Sequence, residues 1–277
     1  MTRIAHLSDL HFGKHDTVVS ETLAKELEAQ NLDLVVVSGD FTQTGSEVEF
    51  RAAREFLDSL KTPIFAVPGN HDVPQRDMFR RFANPYGHYR KYISEKLEPY
   101  VEVGKIAIAG LKTSHRAMPG LNWQQGSYGR SQLRHLGERF AEADPNAIRV
   151  IVAHHPLLQP EGELKGSMPP VRRADLALKT FASLGVRLVL SGHFHLSYVR
   201  RHAHQGELGQ GAPLGGREAA AAHILVAQAS STISTRLRGH PNAYNLIRFD
   251  DDQITIAVRE WKDAGWVDRE DLVAPAG

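Results

Sequence analysis

The stretch Ile4-Ala5-His6-Leu7-Ser8-Asp9-Leu10-His11 decides how this chain is read: a short apolar run stops on a carboxylate and an imidazole two residues apart. Four more runs end in the same way. Leu34 to Val37 leads to Asp40, Ile64 to Val67 to Asn70 and His71, Val150 to Ala153 to His154, and Val186 to Leu190 to Gly192-His193-Phe194-His195. Short β-branched runs separated by longer amphipathic stretches predict buried parallel strands. Ligands of an open α/β sheet bind beyond the carboxyl ends of its strands, so five such strands would aim their loops at one place. The pattern predicts an assembled metal centre.

Between these runs, apolar residues recur at three- and four-residue spacing from Val18 to Ala29, Glu47 to Leu60, Arg130 to Ala141 and Arg173 to Leu184, which predicts helices. Two stretches depart from the rhythm. Residues 73–99 carry Arg76, Arg80, Arg81, Tyr86, Tyr89, Arg90 and Tyr92 and read as a helical insertion, while residues 204–222 are rich in Gly and Ala and read as a loop. In the last third, Ile224 to Ala227, Tyr244 to Phe249 and Ile254 to Val258 alternate as antiparallel strands do, and a second sheet packed on the first would explain them. No linker-like stretch divides the 277 residues, so a single domain over 1–277 is expected.

Composition narrows the chemistry. There is no cysteine, which removes disulfides, thiolate zinc sites and thiol nucleophiles and fits a reducing compartment. Lys plus Arg total 33 against 32 Asp plus Glu, a balance that argues against a nucleic-acid polymer or an anionic membrane as partner. No secretory signal opens the sequence, and no run reaches the roughly 18 apolar residues of a membrane helix, so a cytoplasmic protein is expected. A homodimer stays open.

Asp9 and His11 sit two apart, as do His193 and His195, so each pair can converge on one ion if the backbone is extended through the turn. Two divalent ions about 3.5–4 Å apart share a bridging ligand, and the two oxygens of Asp40 suit it to that place. Asn70 offers an amide oxygen and His154 a further nitrogen. Four imidazoles, two carboxylates and an amide suit Mn, Fe, Co or Zn better than Mg or Ca, which prefer oxygen shells. Two such ions against Asp9 and Asp40 leave about plus two, which favours an anionic substrate such as a phosphate ester. Taken singly, Asp9 and Asp40 could instead cap helices, and Gly39 and Gly69 could merely make turns.

Taken in order, Asp9-Leu10-His11, Gly39-Asp40, Gly69-Asn70-His71-Asp72, His154 and Gly192-His193-Phe194-His195 resemble the calcineurin-like metallophosphoesterase signature. The resemblance runs from Asp9 to His195. It implies an α/β fold, a four-layer αββα sandwich of two mixed sheets flanked by helices, around two divalent transition-metal ions. By the family pattern one ion takes Asp9, His11, Asp40 and His195, and the other Asp40, Asn70, His154 and His193. His71 is then a catalytic non-ligand that protonates or binds the departing alkoxide after hydroxide held by the ions attacks phosphorus, and Asp72 orients its imidazole.

Departures from relatives bear on the substrate. Protein phosphatases of this superfamily carry an Arg after the Gly-Asp that clamps a dianionic monoester, whereas here Phe41-Thr42-Gln43-Thr44-Gly45 follows, so a small-molecule phosphodiester is expected. The Gly39-Asp40-Phe41-Thr42 segment is similar to the class III cyclic-nucleotide phosphodiesterase branch, although Gln43 stands where many members have Asp. His155, Tyr86 and Tyr89 are candidate substrate contacts, and Trp123 or Tyr128 could also stack on a base. The rivals are a UDP-diacylglucosamine-type pyrophosphohydrolase gripping lipid with the 73–99 insertion, a nuclease of the superfamily, and a metal-bound scaffold without catalysis.

Overall fold

The computed structural model describes residues 1–116, 124–160, 169–203, 223–251 and 253–269. Trp123 and the loop expected over 204–222 lie outside the described residues. The chain runs β1 (Thr2–Leu7), α1 (Thr17–Ala29), β2 (Leu34–Val37), α2 (Glu47–Ser59) and β3 (Ile64–Ala66), then two short helices, α3 (Met78–Ala83) and α4 (Gly87–Tyr92). There follow β4 (Tyr100–Val103), β5 (Ile106–Leu111), α5 (Arg130–Ala141), β6 (Ile148–Ala153), α6 (Ala174–Ser183) and β7 (Val186–Ser191). Five strands complete the order: β8 (Tyr198–Ala203), β9 (His223–Gln228), β10 (Ala243–Asp250), β11 (Gln253–Lys262) and β12 (Gly265–Asp268).

The strands form two six-stranded mixed sheets, ordered β12-β11-β10-β1-β2-β3 and β4-β5-β6-β7-β9-β8. Side-chain alternation builds the layers. Leu34 and Val36 of β2 point into the interface between the sheets, where they meet Val150 and Val152 of β6 and Leu188 and Leu190 of β7. Val35 and Val37 point the other way, onto Leu23 and Leu27 of α1 and Phe50 and Leu57 of α2. Ile151 and Ala153 of β6 likewise face Leu136 of α5 and Phe181 of α6. Strands covered on both faces need apolar residues at every position, which is why they read as runs rather than as alternation. The four layers are thus helix, sheet, sheet, helix.

Two topological expectations are corrected. The five ligand-bearing strands do not share one sheet: β1, β2 and β3 lie in the first, β6 and β7 in the second. The late strands divide between the sheets: β8 and β9 join the second, while β10, β11 and β12 join the first. β10 pairs antiparallel with β1, with Ile4 opposite Ile247, and carries β11 and β12 with it. β9 runs antiparallel to β8, as expected, but parallel to β7. The reason is backbone satisfaction: β1 has β2 on one side only, and β10 takes up the donors and acceptors on its other edge. The fully buried β5 was missed because no ligand follows it.

The insertion is only partly a solvated face. Tyr86 and Tyr89 are buried in the core between the first sheet and its helices. Lys91 and Tyr92 of α4 both bond Glu47 of α2, at 2.8 and 2.5 Å. By contrast, Phe79 on α3 is 83% exposed. Among the described residues no helix is long and apolar enough to cross a membrane.

Candidate metal centre

The ligand-bearing turns are conformationally unusual. Asp9, His11, Asp40, His193 and His195 all have positive φ, between 50° and 79°, a region costly for residues with a Cβ. Each costs about 1–3 kcal/mol and persists only where its surroundings over-determine it. Here they do. The β1–β2 pairing continues into the turns through Asp9 N–H to Gly39 O at 3.0 Å and His11 N–H to Asp40 O at 3.0 Å. Across the sheet interface, His193 N–H donates to Asp9 Oδ2 at 2.8 Å. Gly192 permits that approach, since a Cβ there would stand 1.7 Å from Ser8 Oγ. The helix-cap alternative falls away as well, because α1 and α2 are capped by Asp16 and Ser46.

Two donor sets result. In the first, Asp9 Oδ1 lies 3.6 Å from His11 Nε2 and 3.5 Å from His195 Nε2. In the second, His154 Nε2 lies 3.1 Å from Asn70 Oδ1 and 3.3 Å from His193 Nδ1. Asp40 Oδ2 faces both, 3.8 Å from His11 Nε2 and 3.3 Å from His154 Nε2. One oxygen therefore reaches both sets, not two as expected, because Oδ1 accepts from His71 N–H at 2.8 Å. Asp9 Oδ1 and His11 Nε2 are buried without a hydrogen-bond partner. Buried polar atoms are nearly always satisfied, so orphans converging on one point fit a cation.

Outer partners orient the imidazoles. His11 Nδ1–H points at Thr42 O, His154 Nδ1–H at Ser38 O, and His195 Nδ1 bonds the Ser231 hydroxyl, which turns Nε2 of each toward the centre. Charge follows position. Burial pushes the Asp9 and Asp40 carboxyls up, but the neighbouring imidazoles outweigh it and hold both well below the usual range. Burial lowers His193 to about 3 and His195 to about 4. Burial alone would also strip His154, yet Asp40 beside it lifts that group to about 9. The centre thus offers ionised carboxylates and the neutral imidazoles of His193 and His195, while a metal taken up by His154 must displace a proton.

His71 stands at the half-buried mouth, its ring 4.8 Å from that of His11. Its Nδ1 lies 2.7 Å from Gln43 O and 2.8 Å from Gln75 Nε2, and with Nδ1–H donating to Gln43 O its Nε2 is left without a proton beside Arg236. Asp72 does not orient it. The Asp72 carboxylate accepts from Gly69 N–H at 2.8 Å, Asp40 N–H at 3.0 Å and Thr42 N–H at 3.1 Å, tying the second and third turns together. Burial and then the charge of Asp40 push its carboxyl up to about 7. Its lone pairs are thus taken by loop amides rather than by the imidazole of His71.

Of the candidate substrate contacts, His155 is fully enclosed beside the second set, its ring 4.7 Å from His193 and its Nε2 without a partner. Tyr86 and Tyr89 do not line the mouth: Tyr86 donates to Ser114 O at 2.8 Å, and Tyr89 packs edge-on to Phe41. Tyr128 is likewise core, packed on Phe181. Sequence reasoning missed Arg236. Its Nη1 lies 3.4 Å from both Gln43 Oε1 and His71 Nε2, so a guanidinium absent from the turn after Asp40 arrives from the segment after β9. The only signal was an Arg-Leu-Arg in a Ser- and Thr-rich stretch following a strand.

The calcineurin-like phosphoesterase family profile matches residues 2–197, and the chain belongs to that family. In sequence it is similar to a probable cyclic nucleotide phosphodiesterase of Synechococcus sp., 26% identical over 207 residues that cover 71% of this chain and 74% of that one. It is also similar to the 3′,5′-cyclic adenosine monophosphate phosphodiesterase CpdA of Escherichia coli, 25% identical over 219 residues, 70% and 69% of the two chains. In structure it resembles a dimetal phosphatase from Danio rerio, with a TM-score of 0.66 at 12% identity over 94% and 96% of the chains, a likeness of fold. The family works with a dinuclear divalent centre, and the carboxylate and imidazole groups for one are present here.

Proposed function

We propose that this chain is a two-metal phosphodiesterase acting on a small-molecule diester, with a 3′,5′-cyclic nucleotide as the first substrate to test. One observation carries the reading: Asp40 Oδ2 is shared by two donor sets, with the ring of His71 4.8 Å from that of His11 beside them. Asp9, His11, Asp40 and His195 would hold the first ion, and Asp40, Asn70, His154 and His193 the second. The mixed nitrogen and oxygen donors suit Mn, Fe, Co or Zn. Such a pair would neutralise the phosphate oxygens and acidify a water for in-line attack on phosphorus.

The protein's own groups do the rest. Gln43 O holds His71 so that Nε2 meets the leaving oxygen, and the Asp72 tether keeps the Asp40 and Asn70 turns in register. The substrate class draws on the two relatives named for cyclic nucleotides, each matching about 70% of this chain. The lack of cysteine agrees with a cytoplasmic setting. Exposed Met78, Phe79 and Phe82 on α3 favour a second reading, a lipid-linked pyrophosphate.

The test is a panel with Mn-loaded protein: bis(p-nitrophenyl) phosphate, 3′,5′- and 2′,3′-cyclic nucleotides, a nucleotide-diphosphate lipid and single-stranded DNA. Turnover of the first two groups is expected, and His71→Ala should lower it about a hundredfold to ten-thousandfold with metal content unchanged. Inactivity on every compound with two metals bound would instead leave a scaffold.

A further inference from the structure

Gln43 and Arg236 meet at the mouth of the centre from segments 193 residues apart. The segment bearing Arg236 is fixed at several points. Ile233 O accepts from Asp16 N–H at 2.8 Å, Thr235 N–H donates to Lys14 O at 2.8 Å, and Asn242 Nδ2 donates to Ser234 O at 2.9 Å. Arg236 itself donates its backbone N–H to Ser234 Oγ at 3.1 Å, and Ser231, which bonds His195, lies within the same strapped turn. The backbone that carries the half-buried Arg236 is therefore held in place by the fold.

Its partners are neutral. Gln43 Oε1 and His71 Nε2 each approach Nη1 at 3.4 Å, and no carboxylate pairs with Arg236 among the described residues. An amide oxygen steadies a guanidinium without cancelling its charge, and at most one of the five N–H donors of the fork is engaged at each contact. Two divalent ions against Asp9 and Asp40 leave about plus two, and Arg236 raises the total to about plus three. A diester carries one negative charge. The monoester produced when it is hydrolysed carries a second, and an Arg fork is the side chain best matched to two oxygens of one phosphate.

Resting on the phosphodiesterase reading, we propose that Arg236, steadied by Gln43, is an anion clamp on the His71 side of the centre that binds doubly charged phosphate, so that this site also retains, and accepts as substrates, phosphomonoesters. Arg236 then sets the balance between diester and monoester, while the metal ligands set the chemistry. Its position next to His71 Nε2 places it on the leaving-group side, where an oxygen freed from one ester linkage would turn.

The experiment compares Mn-loaded wild type, Arg236→Gln and Arg236→Lys on bis(p-nitrophenyl) phosphate and p-nitrophenyl phosphate, alongside calorimetric binding of orthophosphate and metal analysis. Arg236→Gln should weaken orthophosphate binding and raise the monoester KM by about tenfold to a hundredfold, with the diester KM moving about threefold or less. Arg236→Lys should fall between, since it keeps the charge and loses the fork. Equal losses on both esters, or unchanged orthophosphate binding at equal metal content, would overturn the clamp. If wild type hydrolyses the monoester but not the diester while Arg236→Gln still weakens orthophosphate binding, the phosphodiesterase reading fails and the clamp stands; if it hydrolyses neither ester, the monoester activity falls as well.

Discussion

The two donor sets share Asp40 and differ in charge, exposure and support. The Asp9 set has two carboxylates counting Asp40, and Asp9, His11 and His195 are all buried. The His154 set has only the shared carboxylate, a neutral amide in Asn70, and a half-buried His193 at the mouth. Support differs too: Ser8 and Ser231 hydroxyls brace the first set, whereas the Ser38 carbonyl braces His154. With the Asp40 charge shared between them, an ion in the first pocket would be offset further than one in the second, which meets no carboxylate of its own. The comparison teaches that the two sets would hold their ions unequally, one tightly enclosed and the other more open and more electrophilic.

The most disruptive way to probe that comparison is to remove what the sets share. Asp40→Ala should lose both ions and reduce hydrolysis to background; metal analysis showing two ions per chain in that variant would end the bridge assignment. A smaller change separates the sets. Ser231→Ala removes the partner of His195 Nδ1 alone, so affinity for the first ion should fall about tenfold to a hundredfold while the second is held as before. Titration of the metal-free protein with Mn, resolving two binding steps, reads this directly, and equal weakening of both steps would count against distinct pockets.

The smallest effect is a pH slope. In metal-free protein the His154 pKa is raised from 6.5 to about 9. Its contribution to stability is fully present below pH 6.5 and is lost as pH rises through about 9. The melting temperature of apo protein should therefore fall between pH 7 and 10, and His154→Gln should flatten that slope. Metal binding displaces the same proton, so Mn affinity should rise over the same window. An identical slope in the variant would show that another group titrates.

Legibility from the sequence was uneven for identifiable reasons. The runs ending at Asp9, Asp40, Asn70 and His154 were readable because strands buried on both faces are continuously apolar and break sharply where a polar turn begins. α1, α2, α5 and α6 were readable from period alone. Tyr86 and Tyr89 were misplaced because an aromatic in an Arg-rich segment gives no local sign of which face is buried, and packing on Phe41 decided it. Asp72 was misjudged since adjacency to His71 along the chain says nothing about where its carboxylate points. β10 could be seen as a strand, but nothing in residues 243–250 names β1 as its partner.

What the sequence by itself determined is the inventory of donors and their places at strand ends, because burial periodicity and turn chemistry are written locally. Which sheet each strand joins, the single Asp40 oxygen that faces both donor sets, the loop amides that bind Asp72 and the arrival of Arg236 were decided only by tertiary structure. These depend on stacking two sheets so that turns far apart in the chain share donors and acceptors, and periodicity within one segment carries no record of its partner in another.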